Sequence, residues 1–171
     1  EPLLVRSVAG SLVTIGIGRD AKPSLHVYLG EEPGGCDGLA RGERTSDRGA
    51  RVTLVQRENG ESVPPTDGTF VVVARTPAED GKFAHGSVFQ RDPTSCAIDV
   101  GGRSVLETGT IEVSNLAAFE NGFLGAGFEF DVKLRDGGTL AGQVSAPYCA
   151  EAIQSLLDEE RGGSIACTSG G

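Results

Sequence analysis

Two histidines, His26 and His85, are the side chains of this 171-residue chain whose ordinary pKa lies near neutrality, so they are its candidate general bases. His26 lies in an alternating run on the face of Tyr28, where we expect exposure to solvent. His85 lies in another alternating run with Phe83 and Phe89, which favours a structural role. Nucleophilic catalysis needs a nucleophile, a base and a group that orients the base. The sequence has no G-x-S-x-G motif and no phosphate-binding glycine loop, so we predict no catalytic residue and no cofactor.

Paired carboxylates are a second source of chemistry, because most glycoside hydrolases place two of them across the scissile bond. Glu129 and Asp131 lie on the polar face of one predicted strand. The chain has 24 acidic residues, so two on one face are expected by chance. A glycan-active hydrolase is therefore an alternative and not the leading hypothesis.

Metal ligands are sparse. Calcium needs several oxygen ligands that converge from a loop, and Asp92 and Asp99, which flank Cys96, offer only two. No EF-hand motif occurs, and no cysteine has the C-x-x-C spacing or the neighbouring histidine of a zinc site. We predict no metal site, with a weak surface calcium site near Asp92 as the alternative.

The four cysteines predict two disulfides and therefore an oxidising compartment. They are Cys36, Cys96, Cys149 and Cys167. Three connectivities are possible. We favour Cys149–Cys167, which would join the two ends of a short helix, and Cys36–Cys96 by elimination. The alternative is four buried thiols in a reduced protein.

Charge and hydropathy limit the partners. The net charge of −9 argues against nucleic acid, because phosphate binding needs a basic face. No run of 18 apolar residues occurs, so no membrane span is predicted. The chain begins at Glu1 directly before an apolar run, which favours a mature or trimmed product. We expect a protein or glycan partner at the cell surface, or a second copy of the chain.

The clearest structural signal is a hairpin over 128–146. Apolar residues alternate with charged residues from Phe128 to Leu134, and alternation resumes at Leu140 after a glycine-rich break. The apolar residues of the two strands lie on the same face of the hairpin only if the loop has an odd number of residues. We therefore predict a three-residue loop, Asp136-Gly137-Gly138, which places Leu134 opposite Leu140 and one glycine in the left-handed conformation.

Other runs complete the expected sheet. Strands are predicted within 3–18, 25–29, 52–58, 69–75, 83–91, 96–100 and 109–116. The run 69–75 is so apolar that both faces are expected to be covered. The first run is either an ordinary strand or one that pairs with a neighbouring subunit. Between strands, 31–49 is predicted to be a polar loop in which Arg41, Arg44, Arg48 and Arg51 cluster. Because Glu43 and Asp47 interleave with them, we favour a solvated loop, with an anion site as the alternative.

One helix is predicted, from Pro147 to Arg161, because apolar residues recur there at helical spacing. Acidic residues near its end oppose the helix dipole, so packing or a disulfide must hold it. We therefore predict one all-β domain over 1–171, an antiparallel β-sandwich or a Greek-key or jelly-roll-like barrel with one short C-terminal helix.

The stretch TGTIEV, followed by GFEFDVKLRDGGTLAGQVSAPYC, resembles the C-terminal half of small secreted or lipid-anchored bacterial all-β proteins, which carry a similar glycine-rich hairpin ending in cysteine. The resemblance implies a location at the cell surface or in the periplasm and implies no functional residue.

Together these observations favour a non-enzymatic protein outside the cytoplasm, extracellular, at the cell surface or periplasmic, that acts by binding or as a structural component. One alternative is a self-assembling filament or surface-layer subunit joined through residues 3–17. The other is the glycan-active hydrolase.

Overall fold

The computed structural model describes residues 7–15, 22–31, 35–44, 48–116, 126–160 and 166–167. The strands are β1 Ser7–Ile15, β2 Lys22–Gly30, β3 Glu43–Arg44, β4 Gly49–Glu58, β5 Glu61–Val63, β6 Gly68–Val72, β7 Gly81–Arg91, β8 Ile98–Ser114, β9 Ala126–Leu134, β10 Thr139–Ala146 and β11 Ala166–Cys167. The helices are α1 Gly35–Ala40 and α2 Ala150–Glu160. The all-β class and the short C-terminal helix are thus confirmed, and α1 is an addition.

Nine strands form one mixed sheet that curls into a half-barrel. Their order is β1-β2-β4-β7-β6-β8-β9-β10, with β5 paired to β4. The short β6 runs parallel to β7 and antiparallel to β8, and β7 and β8 also pair with each other directly. The remaining strands, β11 and β3, form a separate parallel pair.

The concave face of the sheet holds the main core, because alternate residues of each strand point inward. Its members include Leu25, Val27, Val52, Leu54, Phe70, Ile111, Phe128, Phe130, Val132 and Leu140, all buried. A second apolar cluster lies on the opposite face and packs Tyr28 and Phe89 of the sheet against Leu39 of α1 and Leu156 of α2. Strand β2 is therefore buried on both faces from Ser24 onward.

The hairpin of β9 and β10 is confirmed, with a corrected register. Thr139 lies opposite Lys133 and Leu140 opposite Val132, two residues from the predicted pairing of Leu140 with Leu134. The N–H of Leu134 donates to the carbonyl of Gly138 at 2.8 Å, so the three-residue loop is 135–137. Gly137 has φ 90°, the predicted left-handed glycine. A shift of two residues keeps every side chain on its predicted face, which is why alternation could not distinguish the two registers.

Two stretches differ from the prediction because of their neighbours. Within the apolar run 69–75, strand β6 ends at Val72. Val71 is 49% exposed, so only one face of β6 is covered and not both faces as predicted. The two runs 96–100 and 109–116 belong to one 17-residue strand, β8, whose register shifts between Leu106 and Thr108. Such a bulge lets one strand follow a strongly curved sheet.

The disulfides are Cys36–Cys149 and Cys96–Cys167, with Cα–Cα distances of 5.9 and 5.4 Å. Two disulfides are confirmed, but the favoured pairing is wrong. Helix α1, which lies in the stretch predicted to be a polar loop, packs against α2 and brings Cys36 beside Cys149. Strand β11 pairs with β3, which places Cys167 next to the turn that holds Cys96.

The stretch 31–49 was also wrongly predicted to be solvated. Arg44 is fully buried, and its Nε donates to Glu159 of α2 at 2.9 Å. The buried Arg91 of β7 binds the same carboxylate through Nη1. Burial opposes the charge of Arg91, but its hydrogen bond to Glu159 and the nearby Tyr28 and Glu159 hold its pKa above the ordinary value. Glu159 thus joins α2 to β3 and β7 in an ion-pair triad, Arg44–Glu159–Arg91.

The described helices include none long and apolar enough to cross a membrane.

We expect non-reducing digestion to yield one cross-linked peptide pair with Cys36 and Cys149 and another with Cys96 and Cys167. Trypsin can cut between Cys149 and Cys167 at Arg161, so mass spectrometry distinguishes this pairing from the one that joins the helix ends. A cross-link between Cys149 and Cys167 would contradict the fold of α1 and β11.

Glu159→Gln should lower the free energy of unfolding by about 3 kcal/mol or more, because it leaves two buried guanidinium groups without their carboxylate. Asp158→Asn is the matched control, since Asp158 is exposed and binds Gln154 Nε2 at 2.9 Å. Urea unfolding followed by circular dichroism measures both variants. Equal losses in the two variants would show that the triad contributes no more than a surface interaction.

Candidate functional site

The seam of the half-barrel, between β1 and β10, is the first candidate site. The strands β1, β2, β4, β7, β8, β9 and β10 follow one another through antiparallel ladders. After six antiparallel steps, the first and last strands run in the same direction. Strand β1 approaches β10, yet the described residues form no ladder between them. An antiparallel barrel therefore closes only if one further strand enters the seam.

A groove of about 1040 Å³ runs along β10, and its described lining also includes residues of β2, β7, β8 and β9. Phe130, Leu134 and Leu140 line its floor, and Arg48 and Asp136 lie among the residues at its rim. The floor belongs to the inward-facing rows of β9 and β10, so the groove is continuous with the main core. Its volume exceeds what a single small molecule requires.

The inner row of β10 opens toward the groove. It runs Leu140, Gly142, Val144 and Ala146, of which Gly142 is exposed and Val144 half-buried. A Cβ at Gly142 would meet no atom within 4 Å. The space beside the middle of β10 is therefore vacant in the described part of the chain.

Neither seam strand carries the charged side chains or proline that often protect an edge, although α1 and α2 both contact β1. Natural sheets protect exposed edges with charged side chains, proline or bulges. The sequences SVAGSLVTI of β1 and TLAGQVSA of β10 contain no charged residue and no proline. The ladder between β9 and β10 is also regular, without a bulge. The seam strands are thus chemically suited to pair with another strand.

The second candidate site lies on the opposite face of the sheet, where the two histidines meet. His26 lies opposite Thr53, and Thr53 lies opposite His85, so the three side chains form one row across β2, β4 and β7. We call this row with its surrounding cavity the histidine pocket. The cavity measures about 280 Å³ and includes Arg51, Ser87 and Arg103 in its lining. Spacing along the sequence could not reveal it, because the row depends on the ladder registers.

His26 was predicted to be exposed, but it is only 5% exposed because the helical layer covers the outer face of β2. Its Nε2 lies 3.0 Å from Ser24 Oγ and its Nδ1 lies 3.2 Å from Thr53 Oγ1. Burial, Arg51 and His85 lower the pKa of His26 to about 4. Burial likewise lowers the pKa of His85. Both imidazoles are therefore neutral at pH 7.

The Ser24–His26 contact has the distance of a nucleophile and its base, but the other imidazole nitrogen meets the hydroxyl of Thr53 and not a carboxylate. The residue Ser24 is also buried, with only 5% of its surface exposed to solvent. An attacking hydroxyl needs access to substrate and an orienting group for its base. We therefore interpret these contacts as a buried hydrogen-bond network.

The two predicted carboxylates lie on one face of β9, and the ladder to β8 brings a third carboxylate beside them. Glu129 and Asp131 are both exposed on the outer face of β9, as predicted. Across the ladder, however, Glu129 lies directly opposite Glu112 of β8, and Asp131 lies opposite Thr110. A cavity of about 400 Å³ is lined by Glu112 and Glu129, and Thr69 Oγ1 donates to Glu112. The hydrolase hypothesis stays a prediction, with Glu112 as the carboxylate nearest Glu129 along the ladder.

The predicted calcium ligands are occupied by local turns. Asp92 accepts the N–H groups of Thr94 and Ser95 at 2.9 and 2.7 Å, and these bonds lower the pKa of Asp92. Asp99 accepts the N–H of Gly101 at 2.9 Å. Among the described residues, no group of three or more histidine, cysteine or acidic side chains is placed to hold a metal ion.

Comparisons with known proteins yield no match: no family model, no curated protein and no solved structure corresponds to this chain. The resemblance of the C-terminal hairpin to small secreted bacterial proteins therefore stays a prediction.

The buried neutral His26 should make the protein less stable in acid. Its pKa in the folded state is about 4, below the ordinary 6.5, so the unfolded chain binds the extra proton. The neutral His26 contributes fully to the free energy of unfolding above pH 6.5. As the pH falls from 6.5 to 4, this contribution is lost, and the free energy of unfolding decreases by roughly 3 kcal/mol at most.

Urea unfolding of the wild type and of His26→Gln between these pH values measures this effect. Carboxylates titrate alike in both proteins, so the difference between the two pH profiles isolates His26. We expect a flatter profile for His26→Gln, and parallel profiles would contradict a buried neutral imidazole.

Proposed function

We propose that this protein is a non-enzymatic binding protein that functions outside the cytoplasm and captures an extended polypeptide segment in the seam between β1 and β10. The observation that carries the proposal is the topology. An incoming strand antiparallel to β10 is also antiparallel to β1, so one segment would complete the barrel with the preferred pairing on both sides. Some Cα atoms of β1 and β10 lie within 8 Å of each other, and a strand between them needs about 9.5 Å, so binding must move the two edges apart at those points.

The chemistry of the groove supports an alternating ligand. Backbone groups of β10 would supply the hydrogen bonds, which do not depend on ligand sequence. Alternate side chains of the ligand would face Phe130, Leu134 and Val144, which favours apolar residues at every second position. The remaining side chains would face the exposed row of Thr139, Ala141 and Gln143, which favours polar residues.

The two disulfides support the location outside the cytoplasm. Disulfides persist in secreted, surface and periplasmic proteins and are rare in reducing compartments. Both bonds join segments distant in sequence, with separations of 113 and 71 residues. Bonds that close such long loops are expected to be strongly stabilising.

A second candidate function is self-assembly through the N-terminal strand, with the seam as the acceptor. It is favoured by the position of β1, an edge strand that pairs with β2 over all nine of its residues. We rank it second because β1 already has an intrachain partner, which exchange would have to displace.

A nine-residue peptide with the sequence of β9, AGFEFDVKL, is a suitable probe, because β10 already pairs with that sequence on its other edge. We expect saturable binding by fluorescence anisotropy for the labelled peptide. A peptide of the same composition whose apolar residues do not alternate should bind at least about tenfold more weakly.

The matched variants are Val144→Lys and Val71→Lys. Val144 lies at the seam, whereas Val71 is exposed on β6 away from it, so both receive the same substitution. An inward lysine blocks edge pairing, and we expect Val144→Lys to weaken peptide binding by about tenfold or more while Val71→Lys leaves it unchanged.

Equal binding of both peptides, or equal effects of both variants, would contradict capture of a strand at β10. Light scattering on the unliganded protein tests the second candidate. If the protein forms oligomers that Val144→Lys disperses and Val71→Lys does not, self-assembly becomes the first hypothesis. The strand bound in the seam would then come from a second copy of the chain and not from a partner polypeptide.

A further inference from the structure

We propose that the histidine pocket binds a small tetrahedral oxyanion, a sulfate or phosphate group, either free or carried on a larger molecule. The pocket lies on the face of the sheet opposite to the core, since His26 and Thr53 alternate with the inward-facing Val27 and Val52. It is therefore a different site from the seam groove and does not depend on the function proposed for the seam.

Its charge is the first argument. Two guanidinium groups contribute to the lining, Arg51 from β4 and Arg103 from β8. Among the described lining residues there is no carboxylate, although the whole chain has a net charge of −9. Guanidinium groups bind oxyanions through several N–H donors in a fixed plane, and such contacts strengthen when water is excluded.

The arrangement of the donors is the second argument. Arg51 is buried at 7% exposure, and its Nη2 donates to the carbonyl of Leu156 at 2.8 Å, which anchors the side chain to α2. Arg103 is exposed and lies two residues along β8 from Val105, the partner of Ser87. An anchored arginine within the pocket and a solvent-exposed one beside it suit a ligand that enters from solvent.

The hydroxyl and imidazole groups complete a neutral donor set. His26 lines the cavity, but its two ring nitrogens already contact Ser24 and Thr53. When Nδ1 of His26 donates to Thr53, the hydroxyls of Thr53 and Ser87 and the imidazole of His85 can each donate to an oxyanion oxygen without adding charge. Burial is the main cause of the low pKa of His26, and the positive charge of Arg51 lowers that pKa further. A cation would meet two guanidinium groups here, so the same charges disfavour a metal ion.

The size is the third argument. The cavity of about 280 Å³ corresponds to roughly nine water molecules at the volume of the liquid. A sulfate or phosphate group therefore fits with room for part of an attached molecule.

Imidazole resonances of the full-length protein provide the test, because the chain has only two histidines and both line the pocket. With ¹⁵N-labelled histidine, we expect sodium sulfate or sodium phosphate to produce saturable shifts at His26 and His85. Sodium chloride at the same ionic strength should not. Shifts that match those of chloride, or that never saturate, would overturn the proposal.

Arg103→Gln is the informative variant, because Arg103 is exposed and its loss should spare the fold. We expect it to weaken anion binding by about tenfold or more. Arg135→Gln is the matched control, since Arg135 is also exposed but lies in the hairpin loop of β9 and β10. Equal affinities of the two variants would also overturn the proposal.

The source of the anion is resolved by comparing inorganic sulfate with a sulfated monosaccharide, and inorganic phosphate with a phosphate monoester. Tighter binding of an ester, lost in Arg103→Gln, supports recognition of a group carried on a larger molecule. Equal binding of ester and inorganic ion supports a site for the free anion.

Discussion

The carboxylate of Glu159 holds together parts of the molecule that are 115 and 68 residues apart in sequence. It receives Arg44 from β3 and Arg91 from β7, and all three side chains are almost completely buried. Burial of three charges is costly, and only close pairing with further hydrogen bonds offsets the cost. Arg44 therefore also binds Ser155 Oγ at 3.1 Å, and Arg91 binds the carbonyl of Cys96 at 2.9 Å.

These contacts and the disulfide Cys96–Cys167 together form a closed ring of interactions. Arg91 binds the carbonyl of Cys96, Cys96 is bonded to Cys167, and Cys167 pairs with Arg44 in the ladder of β11 and β3. Arg44 then returns to Arg91 through Glu159. Each link fixes the next, so the helical layer is held against the outer face of the sheet by charge and covalent bonds as well as by apolar contact. The burial of His26 follows from that layer.

The two faces of the curled sheet carry different chemistry as a result. The concave face is apolar and ends at an open seam, because an odd number of antiparallel strands cannot close with antiparallel pairing. The outer face is polar beside the helical layer, where the ladders place His26, Thr53 and His85 in one row and Arg51 and Arg103 line the same cavity. The negative net charge of the chain and the positive local charge of this pocket are compatible because the acidic residues lie elsewhere, as on the outer face of β9.

The sequence by itself determined the all-β class, the hairpin of β9 and β10, the terminal helix and the presence of two disulfides, because alternation, helical periodicity and cysteine count are local signals. It did not determine the hairpin register, since a shift of two residues preserves every face. Tertiary structure alone decided the cysteine pairing, the triad around Glu159, the open seam and the histidine pocket. Each of these depends on which distant strands become neighbours and in what register, and no spacing along the chain encodes that. Arg44 was assigned to a solvated loop for the same reason, because its partner Glu159 lies 115 residues away in the sequence.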